Sequence, residues 1–199
     1  MIRTFIALDI SAEVRQGLGD LIKRLKKGFH YTAARPKWVR PESIHLTLKF
    51  LGNIEESQVE GISEILKNAA AETHPFTLRV RDLGVFPHPR RPRVLWCGLT
   101  KGEKQAVSLQ KKIDRGLAGL GFEKEKRAFH PHFTLARIKS LKGAGAMMNI
   151  IKIHEHTLVG ECLVDRVILF RSQLHPEGAR YTRLFEAPFP KKAPDAEPA

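Results

Sequence analysis

Apolar residues recur along the chain with two alternating periods. Residues 4–10 (TFIALDI) form a short apolar run rich in strand formers, and Ser11 follows where a helix N-cap belongs. Val14, Leu18, Leu21, Ile22 and Leu25 then fall at helical spacing, which predicts an amphipathic helix over 12–27 with Lys23, Arg24, Lys26 and Lys27 outward. A polar, proline-containing stretch leads to Pro41, residues 44–51 (IHLTLKFL) alternate as a strand, and Asn53 is placed to cap the next helix. That helix carries Val59, Ile62, Ile65, Leu66 and Ala69 on one face. Residues 76–82 alternate again, with Phe76, Leu78 and Val80 inward. Three prolines and three arginines in 84–93 (GVFPHPRRPR) predict a loop or hairpin tip.

The second half repeats this order. An apolar strand at 94–99 (VLWCGL) is followed by a capping-box spacing, Thr100 to Glu103, and by a helical stripe of Ala106, Leu109, Ile113, Leu117 and Leu120. A strand is predicted at 130–138 (HPHFTLARI), a short helix at 144–153, and last strands at 163–170 and 180–186. Phe5 precedes His45 by 40 residues and Val94 precedes His132 by 38. Each half therefore runs strand, helix, irregular link, then a strand bearing His-x-Thr-Leu. Two halves of one design imply lobes related by a pseudo-twofold, with a cleft where they meet. The expected organisation is a single bilobal domain over 1–188 and a mobile tail over 189–199.

Composition narrows the partners. The 199 residues hold 34 Lys plus Arg against 21 Asp plus Glu, a net +13, in a chain that is 42% hydrophobic. Such a chain folds, and its charge favours an anionic partner, nucleic acid first. Cys97 and Cys162 fit neither a disulfide framework nor a zinc spacing, and both read as buried thiols. No apolar run reaches the ~18 residues of a membrane span, and MIRTFIALDI lacks the marks of a signal peptide. The expectation is a soluble cytoplasmic protein, a monomer, with no membrane partner.

The chemistry lies in His45-Leu46-Thr47-Leu48 and His132-Phe133-Thr134-Leu135. On a strand, alternation puts each His and Thr on one face and the apolar residues on the other. Two imidazoles and two hydroxyls facing one another suit in-line displacement at phosphorus. One neutral histidine takes a proton from the attacking oxygen, and one protonated histidine gives a proton to the leaving oxygen. The threonines can donate to non-bridging oxygens where charge builds up. Near-symmetry leaves open which histidine is acid and which is base. His130 shares parity with His132, or is an exposed residue before Pro131. His154-Glu155-His156 resembles a metal-ligand fragment that nothing in the sequence completes.

The motif pair resembles the two-histidine (2H) phosphoesterases. FIALDI, HLTLKFLG, RVLWCGL, FHPHFTLAR and a late RYT are similar to the bacterial and archaeal RNA 2′,3′-cyclic phosphodiesterases, earlier named 2′-5′ RNA ligases, from about Arg3 to Phe185. The resemblance implies an α+β fold of two lobes, each with an antiparallel sheet and helices, around a central groove. It implies hydrolysis of RNA 2′,3′-cyclic phosphate ends to 2′-phosphates without metal, nucleotide or other cofactor, and reversible 2′-5′ joining of RNA. The partners are then RNA ends, tRNA fragments included. His45 matches the proton donor to the leaving oxygen, His132 the proton acceptor from water, and Thr47 and Thr134 the phosphate-holding hydroxyls.

Four further positions are candidates for binding substrate. Arg137 falls where the family tends to have arginine, but ideal parity puts it opposite His132. It reaches the phosphate only if the strand twists or bulges, and otherwise makes a structural ion pair. Lys49 shares parity with His45 and borders the groove, or is a solvated strand-end lysine. Tyr181 stacks on a base or simply packs, and His130 is the fourth. Phe50 reads as core, while Arg90, Arg91 and Arg93 either track an RNA backbone or are solvated. Two competing readings are an RNA-binding module without turnover and 2′-5′ ligation as the main task.

Overall fold

The alternating and helical stretches become strands and helices in a computed structural model that describes residues 1–30, 32–175 and 178–191. Strand β1 (Ile2–Leu8) leads into α1 (Ala12–His30). A short β2 (Lys37–Trp38) and a 3-10 turn (Pro41–Ser43) precede β3 (Leu46–Ile54) and α2 (Gln58–Ala71). The hairpin β4 (Phe76–Phe86) and β5 (Val94–Lys101) is followed by α3 (Glu103–Ala118), β6 (Phe133–Arg137) and α4 (Ala144–Ile153). Strands β7 (Leu158–Val164), β8 (Arg166–His175) and β9 (Gly178–Pro188) complete the order. They form two antiparallel sheets, one in the order β3-β1-β8-β9 and the other β2-β6-β5-β4-β7.

The internal repeat is present residue by residue in the register. Ala7 opposes Thr47 as Trp96 opposes Thr134, Ile6 opposes Lys49 as Leu95 opposes Ala136, and Phe5 opposes Phe50 as Val94 opposes Arg137. On the other side, Ala7 and Phe5 meet Ile168 and Phe170, as Trp96 and Val94 meet Gly84 and Phe86. The third strand comes from β8 in one sheet and β4 in the other, so the lobes match in space but not in chain order. The lobes also share one core. Helix α1 follows a strand of the first sheet yet packs on β7 of the second, and α3 follows β5 yet packs on β3. Ile6, Leu8, Leu46, Leu78, Leu95 and Leu135 all fall in that single apolar cluster. The opposite face of the first sheet carries a separate small cluster of Phe5, Ala7, Ile168 and Phe170, with Tyr181 against it.

Several boundaries move. Asn53 caps nothing, because β3 continues through it to Ile54 and the next helix starts at Gln58. Thr100 likewise lies inside β5, and α3 is preceded by Gly102 at φ +82°, a conformation only glycine adopts without strain. Residues 84–86, predicted as loop, extend β4, because Gly84 pairs with Trp96. An added Cβ at Gly84 would lie 2.1 Å from the indole, so this glycine is what lets Trp96 lie across the strand. The strand predicted at 163–170 is two strands that break at Asp165. Phe189, placed in the tail by composition, is buried and stacks on Phe76. Residues 192–199 lie outside the described residues. No described helix is long and apolar enough to cross a membrane.

Candidate active site

His45 and His132 do not lie within strands. Each stands immediately before one, β3 and β6 respectively. The two strands then share an irregularity. Leu48 has no partner between the pairs Ala7–Thr47 and Ile6–Lys49, and Leu135 has none between Trp96–Thr134 and Leu95–Ala136. A β-bulge with one extra residue turns two successive side chains to the same side and reverses parity beyond them. Accordingly Leu48 and Lys49 are both buried, as are Leu135 and Ala136. Phe50 and Arg137 emerge instead on the His and Thr side.

The bulge decides three of the sequence-predicted positions. Arg137, which needed such an irregularity to reach the His and Thr side, has it: burial lowers the His132 pKa and the Arg137 charge adds to that, while burial raises the Tyr181 pKa and the same charge works against it. Lys49 does not border the groove, contrary to its strand parity. It is 9% exposed, its ammonium forms an ion pair with Asp114 on α3, and it donates to the Glu123 carbonyl at 2.6 Å. Phe50 is not core but 62% exposed.

His45 is enclosed by rings. Phe5 stacks on it at 4.5 Å and 24°, and Tyr181 meets it edge-on at 5.1 Å and 86°. Burial holds its pKa down at about 4, against a hydrogen bond with the Ser43 backbone and the nearby Asp9 carboxylate, which favour the charged form. The turn before it is pinned from α1. The Arg15 guanidinium donates to the carbonyls of Pro41 at 3.2 Å and Ile44 at 2.8 Å, and pairs with Asp9 at 2.5 Å. Asp9 in turn receives Arg183 from β9 at 2.6 Å.

His132 sits against Phe86, edge-on at 5.0 Å, and near Trp96 at 6.3 Å. Its Nδ1 donates to the His130 carbonyl at 2.6 Å. A carbonyl oxygen can only accept, so Nδ1 carries the proton and Nε2 is left as the free acceptor. Burial lowers its pKa, and His130 and Arg137 push the same way by charge. His130 thus contributes its carbonyl to His132, while its exposed ring lies 6.3 Å from Phe86. Thr47 and Thr134 are half-buried, each two residues beyond its histidine.

Tyr181, on β9, links the lobes: it touches His45 and feels the charge of Arg137 from the other sheet. His45, Thr47 and Tyr181 thus lie on one side of the first sheet and His132, Thr134 and Arg137 on the matching side of the second, and the charge of Arg137 felt at Tyr181 makes the space between them the candidate groove. Lys49 and Arg93 do not serve it; Arg93 donates to the Lys139 carbonyl at 2.8 Å and braces the hairpin. His156 bonds Asp82 at 3.1 Å. Among the described residues no group of three or more His, Cys, Asp or Glu side chains converges as a metal site would. Sequence reasoning missed the aromatic walls, Phe5, Phe86, Phe170 and Trp96, although alternation in FIALDI already put Phe5 and Ala7 opposite Ile6 and Leu8. It missed Arg15 too, and no local pattern marks a contact 29 residues away.

Comparisons with known proteins bear on this geometry. The family model described as LigT-like phosphoesterase matches residues 8–96 and 99–181. The RNA 2′,3′-cyclic phosphodiesterase of Methanothermobacter thermautotrophicus is 33% identical over 181 residues, covering 91% of this chain and 95% of the relative. That of Aquifex aeolicus is 32% identical over 183 residues, covering 92% and 94%. Among solved structures, TT0787 of Thermus thermophilus superposes with a TM-score of 0.77 at 27% identity, covering 94% of this chain and 98% of that one. Escherichia coli LigT complexed with 3′-AMP superposes with a TM-score of 0.72 at 25% identity, with coverages of 94% and 98%.

Proposed function

Because the chain belongs to the LigT-like phosphoesterase family, we propose that it opens RNA 2′,3′-cyclic phosphate ends to 2′-phosphates, with His45 and His132 as its acid and base. Water attacks phosphorus in line with the 3′ oxygen. Nε2 of His132 takes the proton from water as the new P–O bond forms. His45 delivers a proton to the 3′ oxygen as the old P–O bond breaks, leaving the phosphate on the 2′ oxygen. Proton exchange with solvent resets both rings. Thr47 and Thr134 donate to the non-bridging oxygens, and the Arg137 guanidinium offsets the charge that grows on them.

In the free protein burial favours the neutral form of both histidines, which suits the base but not the acid. Substrate supplies the correction: a cyclic phosphodiester anion seated beside the half-buried His45 favours its protonated form. The reaction follows a bell-shaped pH profile that reports the pair jointly. The observation that carries the reading is the matched register, in which each motif threonine, two residues beyond its histidine, meets the equivalent strand and is followed by the same one-residue bulge.

Incubation of the protein with a nucleoside 2′,3′-cyclic phosphate in EDTA tests it. Ring opening is expected, and its loss in His45→Ala and His132→Ala. No product from folded wild-type protein, or near-normal turnover in either variant, contradicts it. With an RNA 5′-hydroxyl in place of water as the attacking group, the same displacement forms a 2′-5′ linkage and frees the 3′-hydroxyl, and comparing joining with hydrolysis on tRNA halves measures how far that reaction proceeds.

A further inference from the structure

Asp9 stands just beyond the end of β1, where the chain turns into α1. The register that pairs Ala7 with Thr47 and Leu8 with Leu46, continued by one residue, sets Asp9 across from His45. The same step in the other lobe, from Trp96–Thr134 and Cys97–Phe133, sets Gly98 across from His132. One histidine therefore has a carboxylate opposite it where the other has no side chain at all.

That carboxylate is 27% exposed and engaged through both oxygens. One accepts the Ile10 backbone N–H at 2.9 Å and the Arg15 guanidinium at 2.5 Å, and the other accepts Arg183 at 2.6 Å. The two arginines lead to two sides of His45. Arg15 donates onward to the carbonyls of Pro41, Glu42 and Ile44, at 3.2, 3.4 and 2.8 Å, which form the turn before the histidine. Arg183 lies two residues from Tyr181 on β9, and Tyr181 meets the His45 ring edge-on. This second arm is braced in turn, since Glu186 accepts Arg183 at 2.8 Å and Arg166 at 2.9 Å. Burial disfavours the charged imidazole of His45. Against it, the Ser43 backbone bond and the Asp9 charge favour that form, while the Arg15 charge opposes it. The other titratable groups about this corner are Glu13 on α1, Glu42 in the turn, Tyr181 on β9 and the buried Cys162 thiol on β7.

We propose that Asp9 is the positioning residue of the proton donor: through Arg15 it sets the turn that carries His45, and through Arg183 it seats the strand whose Tyr181 bears on the same ring. The proposal rests on the reading of His45 as the acid of the ring-opening step. It also gives a reason for the division of labour, because a carboxylate across the register helps an imidazole keep a proton and a glycine does not.

The test uses the full chain with Asp9→Asn and Arg15→Ala, each read in two ways. Proton NMR follows the titration of the His45 ring, and ring opening of a nucleoside 2′,3′-cyclic phosphate gives kcat and KM across pH. Asp9→Asn keeps an oxygen for the Ile10 N–H and loses the charge. It should lower the His45 midpoint, cut kcat about tenfold with KM within about twofold, and draw the alkaline limb of the kcat profile to lower pH. Arg15→Ala should also cut kcat but raise the midpoint, since it removes the opposing charge. A merely structural role would move both midpoints the same way. A His45 midpoint unchanged or raised in Asp9→Asn, or a kcat within about twofold of wild type, overturns the proposal. Should Asp9→Asn not fold, Arg15→Ala decides, and a lowered midpoint there is the contrary result. Wild-type protein that leaves the cyclic phosphate intact, while the two midpoints still part in these directions, overturns the proposed reaction and leaves Asp9 as the group that orients and charges His45.

Discussion

The two motif strands begin alike and end differently. Each presents a histidine, a threonine and a bulge at the fourth motif position, yet beyond the bulge one gives buried Lys49 and exposed Phe50 where the other gives Ala136 and Arg137. Rings enclose His45 on two sides, Phe5 against one face and Tyr181 edge-on, whereas His132 has an edge-on Phe86 and a nearby guanidinium charge. A duplicated scaffold has become asymmetric: burial disfavours the charged form of both imidazoles, but the half at His45 adds a stacked ring and the half at His132 adds a guanidinium charge. The difference also explains why equal motifs can hold unequal roles, since a pKa is set by surroundings and not by the motif.

The comparison breaks first at the histidines. Either His45→Ala or His132→Ala should cut turnover by roughly 10²–10⁴-fold, the range of a general acid or base step, measured as ring opening of a cyclic nucleotide. Retained activity in one variant alone would make the site one-sided. The next effect falls on stability. Lys49→Met strands the Asp114 carboxylate and should cost about 3–5 kcal/mol in urea unfolding. The double variant Lys49→Met/Asp114→Leu should recover most of that, because the equivalent Ala136 shows that the bulge itself needs no charge there. Arg137→Ala removes the cationic half and should lower kcat/KM by about 10²-fold.

Arg15→Ala releases the turn that carries His45 and should lower kcat about tenfold with little change in KM, as loss of alignment does. A separate effect concerns proton binding. His45 binds fewer protons folded than unfolded, because its folded pKa of about 4 lies below the ordinary 6.5. Its contribution to stability is therefore complete above about pH 6.5 and is lost as pH falls through that window toward 4. Thermal unfolding of wild type against His45→Gln should show the wild type losing more stability on acidification across it. Tyr181→Ala, by letting water reach the ring, should move the His45 titration upward in proton NMR.

Much of this was legible in the sequence, and the failures at the motif strands share one cause. Strand and helix periods located nearly every element, and the spacing of Phe5 to His45 and Val94 to His132 anticipated the register. What alternation could not carry was an inserted residue. Leu48 and Leu135 look like any other inward leucine, so parity counted through them assigned Lys49 to the groove and Phe50 to the core, each to the wrong side. For Arg137 the sequence could only state the condition, a bulge, under which it would face the phosphate. Cap signals at Asn53 and Thr100 were overridden because cross-strand pairing carried β3 and β5 past them. Contacts such as Arg15 to Ile44 depend on tertiary proximity and leave no spacing to read.

The central claim is a two-histidine opening of the cyclic ester with the 3′ oxygen as leaving group. Phosphorus NMR of a short RNA with a 2′,3′-cyclic phosphate end, incubated with the protein in EDTA, tests it most directly. The account predicts conversion of the cyclic resonance to that of a 2′-phosphomonoester, absent with His45→Ala. A persistent cyclic resonance, or a 3′-phosphomonoester as product, would contradict it.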